Sequence, residues 1–199
     1  MKYIKTYESH ENNNINDIIE YYSITELKDI LDKDILDING HYNGQTPLCI
    51  AAKHGMLDKL ILILEHGADV NKKTKNGDTP LHWAVSAGSI ECIKTLLEYG
   101  ADINSKKDNS GSLPINVIRD NLDILHILIE NGADIFHVSK YDSSAIEEYA
   151  AEFTYPDWQR LVLKHQPEVA GKLAEKIVIE PEVKKEFKHL FDSAELGLL

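Results

Sequence analysis

Apolar residues recur along this chain at the spacing of short amphipathic helices divided by polar turns. Leu57, Leu60, Ile61 and Leu64 stand at i, i+3, i+4 and i+7, and Ile90, Ile93, Leu96 and Leu97 form a comparable stripe further on. Each stripe closes on the same words, His66-Gly-Ala-Asp-Val-Asn71 and Tyr99-Gly-Ala-Asp-Ile-Asn104, with a third copy at Asn131-Gly-Ala-Asp-Ile135. A second phrase keeps step ahead of them: Thr46-Pro47-Leu48, Thr79-Pro80-Leu81 and a worn Leu113-Pro114-Ile115. Gly67 to Gly100 is 33 residues, and so is Pro47 to Pro80. A fixed period of this length predicts stacked helical units, none of which buries its apolar face alone.

The local chemistry agrees. Pro47 and Pro80 suit the first turn of a helix, where a missing N–H costs nothing, and Thr46 and Thr79 are placed to cap. Gly67, Gly100 and Gly132 are placed to end the second helices in a left-handed conformation. Gly44-Gln-Thr-Pro-Leu48 and Gly77-Asp-Thr-Pro-Leu81, followed by Ala51-Ala52 and Ala84, resemble the ankyrin repeat. That resemblance covers about Asp37 to Phe136. It implies an all-α solenoid of helix pairs with β-hairpin fingers, Asn76-Gly77 being one finger's turn. It also implies that His82 is a hydrogen-bonded structural histidine, a bond that Cys49 cannot supply one period earlier.

The expected organisation is a flexible leader over 1–14 and a degenerate N-terminal capping repeat over 15–39. Three repeats follow at about 40–72, 73–105 and 106–136, then a degenerate last repeat over 137–165 and a helical extension over 166–199. Ser23-Ile-Thr-Glu26 before Leu27, Ile30 and Leu31 is the capping-box signature of the first pair. The third repeat departs from the period: Pro80 to Pro114 is 34 residues while Gly100 to Gly132 is 32, so its first helix should be short. In the last repeat Asp142 stands for the glycine, and Thr154-Tyr-Pro156-Asp157 opens a helix ending near His165. Val183, Phe187, Leu190, Phe191 and Ala194 predict an amphipathic helix of about three turns, either packed on the stack or docking a partner.

The net charge of −12 sets the chain against direct nucleic-acid binding, which needs a basic surface. Lys72, Lys73 and Lys75 nevertheless crowd one finger and Lys106 and Lys107 the next, as solvated tips or as a basic edge for an acidic partner. No apolar run is long enough for a membrane span, and Met1–His10 is not a secretory signal. Two cysteines without metal-like spacing suggest a reducing compartment, so the chain is expected in the cytoplasm and as a monomer. Its opening residues resemble those of some phage-encoded proteins, which would make that a host cytoplasm.

The sequence contains no phosphate loop, Cys-x-x-Cys, His-Glu-x-x-His or Gly-x-Ser-x-Gly. No catalytic residue, metal or cofactor is expected, and Cys49 and Cys92 read as buried hydrophobes. His41, His54 and His66 lack metal-like spacing and read as surface residues, or as a contact patch that varies with pH. The expected function is non-catalytic binding of a partner protein. By the resemblance, contact falls on finger tips and first-helix faces: Tyr42, Asn43, Gln45, Lys53, His54 and His66, then Lys75, Asn76, Asp78, Ser86 and Tyr99. Tyr42 and Tyr99 are the aromatic anchors. The alternative is an adaptor whose segment 183–194 docks a second partner.

Overall fold

The computed structural model describes residues 15–119, 121–140, 144–149 and 155–195. The leader 1–14, Asp142, Thr154 and the tail Gly197–Leu199 lie outside the described residues. The chain divides into two compact units, one ending at Asn109 and one beginning at Ser110.

The first unit holds three helix pairs: α1 (Ile15–Tyr21) with α2 (Ile24–Asp32), α3 (Pro47–Lys53) with α4 (Leu57–Glu65), and α5 (Pro80–Ala87) with α6 (Ile90–Glu98). First helices pack in a row, α1 on α3 and α3 on α5, and second helices do likewise, α2 on α4 and α4 on α6. The core follows the apolar stripes: Leu27, Leu60, Ile63, Ile93 and Leu96 are fully buried, and Ala51, Ala52 and Ala84 let first helices approach closely.

The caps follow the sequence. Ser23 accepts from the Glu26 N–H while Glu26 accepts from the Ser23 N–H, closing a capping box on α2. Thr46 and Thr79 accept from the N–H groups of Cys49 and His82. Buried His82 completes the box on α5, its Nδ1 lying 3.2 Å from the Thr79 N and 2.8 Å from the Thr79 Oγ1. Because a backbone N–H can only donate, Nδ1 is the acceptor and the ring proton sits on Nε2.

The Gly-Ala-Asp phrase has a complete physical reading. Gly67, at φ 87°, donates to the Leu64 carbonyl and Ala68 to the Ile63 carbonyl, a Schellman ending that Gly100 and Ala101 repeat on Leu97 and Leu96. Asp69 then accepts the N–H of Asn71 at 2.9 Å, and Asp102 that of Asn104 at 3.0 Å. Two asparagines, Asn39 and Asn71, each lock one repeat to the next within the first unit. Asn39 donates to the Gly67 carbonyl and accepts from the Asp69 N–H at 2.8 Å; Asn71 does the same to Gly100 and Asp102, also accepting at 2.8 Å.

The fingers are shorter than the β-hairpins the resemblance implied. Among the described residues there is no strand, and the one isolated bridge joins Tyr42 and Gln45. The two residues between them leave room for a single reciprocal pair of backbone bonds, with Asn43 and Gly44 both at positive φ.

In the second unit the expected short helix is a single 3-10 turn, Pro114–Val117, after which Ile118 turns extended at ψ 145°. It is followed by α7 (Leu122–Glu130), α8 (Ala145–Glu148) and α9 (Pro156–His165). Next come a second 3-10 turn (Pro167–Val169), α10 (Ala170–Lys176), α11 (Pro181–Glu186) and α12 (Lys188–Glu195). The three-turn helix expected from Val183 is instead two helices broken at Phe187, which leaves helical geometry at ψ 27°. The break lets α12 pack on α10, and Val183, Leu190 and Phe191 are buried. Fully buried Gln159 donates to the Val178 carbonyl and accepts from the Glu180 N–H, each at 2.9 Å, fixing the approach to α11. Gln166 donates to the Ile129 and Ala133 carbonyls, pinning the end of α9 to the end of α7.

Candidate functional site

The site is built by two neighbouring fingers of the first unit and the exposed face of α5. On α5, Leu81, His82, Ala84 and Val85 are buried, so helical phase turns Trp83 and Ser86 outward. Trp83 forms one wall of an open groove of about 360 Å³, lined otherwise by Asn43, Gly44, Gln45, Thr74, Lys75 and Asn76. The fingers are held side by side by the Lys75 N–H donating to the Gly44 carbonyl at 2.8 Å and by His41 Nε2 at 2.8 Å from the Lys73 carbonyl. Carbonyls only accept, so that histidine nitrogen carries a proton.

Four of the expected contact residues meet in this groove: Asn43, Gln45, Lys75 and Asn76. Lys53, at the end of α3, joins them through Trp83, its ammonium 5.4 Å from the ring centroid, within cation–π range. Ser86 and Tyr99 do not line the groove, and Tyr99 is an exposed cap residue of α6. Tyr42 is half-buried with its hydroxyl donating to the Asp37 carbonyl at 3.2 Å.

Asp78, expected at a finger tip, is buried and paired with Lys107 at 2.7 Å. Lys73 is likewise engaged, donating to the Lys106 carbonyl and to Asp108 at 2.8 Å each. Of the lysines expected to form a basic edge, these two are therefore spent on holding fingers together.

His54 and His66 tie the first helix pair to the next one. His54 Nε2 lies 3.0 Å from Glu20 on α1. His66 sits between the Leu62 carbonyl at Nδ1, 2.8 Å away, and Asp32 of α2 at Nε2, 2.9 Å away. Both neighbours only accept, which favours the doubly protonated ring. The His66 pKa is accordingly raised, by Asp32 first and the Leu62 carbonyl second, and that of Asp32 is lowered, by His66 and then Lys28. Lys59 of α4 adds a third tie, donating to the Ile19 and Glu20 carbonyls at the end of α1, where helix geometry leaves acceptors open; burial lowers its pKa.

Burial pushes the Cys49 thiol up to about 12 and raises that of Cys92, so neither is a thiolate near neutral pH. Among the described residues no group of three metal-binding side chains converges, and no helix is long and apolar enough to cross a membrane.

Sequence reasoning missed Trp83, the largest side chain of the groove. The signal was available: in Leu81-His-Trp-Ala-Val85 it is the residue that falls off the buried stripe, where the preceding repeat has fully buried Ile50.

Paired helices in register, interlocked by asparagines and presenting a groove between their turns, define a helical repeat protein. The family model described as ankyrin repeats (3 copies) matches residues 9–107, and over that stretch the chain belongs to the ankyrin-repeat family. The match takes in α1 and α2 and ends before Pro114. No curated protein matches the chain. Ankyrin repeats are generally protein–protein interaction modules without catalytic activity.

Proposed function

We propose that this protein is a non-catalytic binding module whose first unit holds a partner protein in the groove between its fingers and α5. The observation that carries the reading is a half-buried tryptophan walling a groove of about 360 Å³ otherwise formed by finger residues. Tryptophan is the residue type most enriched at binding hot spots, and the amide side chains of Asn43, Gln45 and Asn76 suit the backbone of an extended segment. The groove takes the place of the broader surface expected from the family pattern. His54, His66, Asp78 and the Tyr42 hydroxyl are engaged within the first unit and act as scaffold. Tyr99 lies outside the groove and is peripheral to contact.

Asn76→Trp, which fills the groove, and Trp83→Ala, which removes its wall, are the test pair. Both are expected to keep the helical circular dichroism spectrum and to lose the natural partner, whereas Tyr99→Ala keeps it. Undiminished partner affinity in both groove variants would overturn the reading.

A further inference from the structure

The groove also carries information about the chemistry of what fills it. Of the ten lysines among the described residues of the first unit, Lys33, Lys72 and Lys106 reach no carboxylate, Lys59 donates to backbone carbonyls, and Lys94 reaches Glu91 only at 3.9 Å. Lys28, Lys73 and Lys107 each pair with a carboxylate, at 2.8, 2.8 and 2.7 Å. The two lysines at the groove do not. Among the described residues Lys75 makes no side-chain ion pair or hydrogen bond, and Lys53 makes only its contact with the Trp83 ring. Two uncompensated ammonium groups thus flank one aromatic wall, while the other groove side chains are uncharged amides and a threonine.

From this charge pattern we infer that the groove takes an extended acidic segment of a partner protein, with carboxylates meeting Lys53 and Lys75 and an apolar or aliphatic stem lying on Trp83. The inference rests on the groove being the binding face. An acidic segment gains two charge-assisted contacts there, and nothing has to be released first because neither lysine gives up a carboxylate. The surplus negative charge over the rest of the chain steers such a segment away from other faces and towards this one.

The test is selection of a displayed library of random peptides on the full chain, followed by anisotropy titration of the winning peptides. Expected are peptides rich in Asp and Glu whose affinity falls about ten-fold in the Lys53→Gln/Lys75→Gln variant, is restored by arginine at both positions, and weakens as salt rises. Failure to select any peptide, acidic peptides indifferent to the lysines, or an oligothymidylate bound with the same lysine dependence would each overturn the inference. Neutral peptides that Asn76→Trp still displaces would overturn it while leaving the groove as the binding face. Peptides indifferent to Asn76→Trp would bring down both.

Discussion

Asn71 in the first unit and Gln159 in the second each use one side-chain amide to hold two backbone groups, yet they belong to different kinds of structure. The Asn71 bonds to Gly100 and Asp102 copy those of Asn39 to Gly67 and Asp69 one repeat earlier. The Gln159 bonds to Val178 and Glu180 have no such copy in the described residues, and the amide is fully buried. A repeated exposed lock lets neighbouring units be built alike, with stability close to a sum of unit and interface contributions. The asparagine locks sit in the loops and leave the groove at Trp83 to neighbouring finger and first-helix residues. A single buried lock fixes one irregular path and takes core side chains to do it.

The sharpest way to break the comparison is Gly77→Ala. At φ 85° its Cβ would stand 2.3 Å from the Asp108 backbone nitrogen. Left-handed strain and a backbone clash together should cost about 3 kcal/mol, read as a loss in urea denaturation. Gly44→Ala has the same φ but meets only Lys75 at 3.5 Å, so about 1 kcal/mol is expected there. Equal losses at the two glycines would mean that close packing between successive fingers contributes little.

Next in size is Gln159→Ala, which strands a buried carbonyl and N–H and should cost on the order of 3 kcal/mol. Asn71→Ala and Asn39→Ala act at solvent-accessible loops and should each cost about 1 kcal/mol, with matching values because the bonds match. A difference between the two asparagines larger than their errors would contradict the periodic account.

The smallest expected effect is a pH dependence at the tie between α2 and α4. The folded-state His66 pKa is raised, so its stabilisation is complete below the unfolded value near 6.5 and fades as pH climbs through the folded value. The Asp32 pKa is lowered, so its share is present above the unfolded value, about 4, and is lost as pH falls through the folded one. The pair therefore stabilises most between about pH 4 and 6.5. The melting temperature should fall from pH 6 to pH 8 by more in the wild type than in His66→Gln. Parallel profiles would assign the tie no energetic weight.

What could be read from the sequence follows the same division. In the first unit helix starts, caps and Gly-Ala-Asp endings were legible because each depends on bonds within a few residues. The role of Asn71 was hidden, since its partners lie 29 and 31 residues away, although its recurrence at Asn39 marked it. Asp78 and Lys73 were misjudged as free tips for a related reason: their ion pairs reach the next finger. In the second unit the break at Phe187 could not be read from periodicity, because an i, i+4, i+7 stripe fits one helix as well as two, of which α11 packs on α9 and α12 on α10. The groove was half legible; repeat phase located its finger residues, while Trp83 was passed over among residues that serve the core.

The division of labour between the units can be measured in one experiment. A photo-crosslinking residue is placed at Asn76 in the groove or at exposed Lys164 of α9, and the full chain is irradiated in its native cellular setting. A discrete protein adduct from position 76 that disappears with Trp83→Ala, and none from position 164, is the predicted result. An adduct from position 164 alone, or one from position 76 that survives Trp83→Ala, would contradict it.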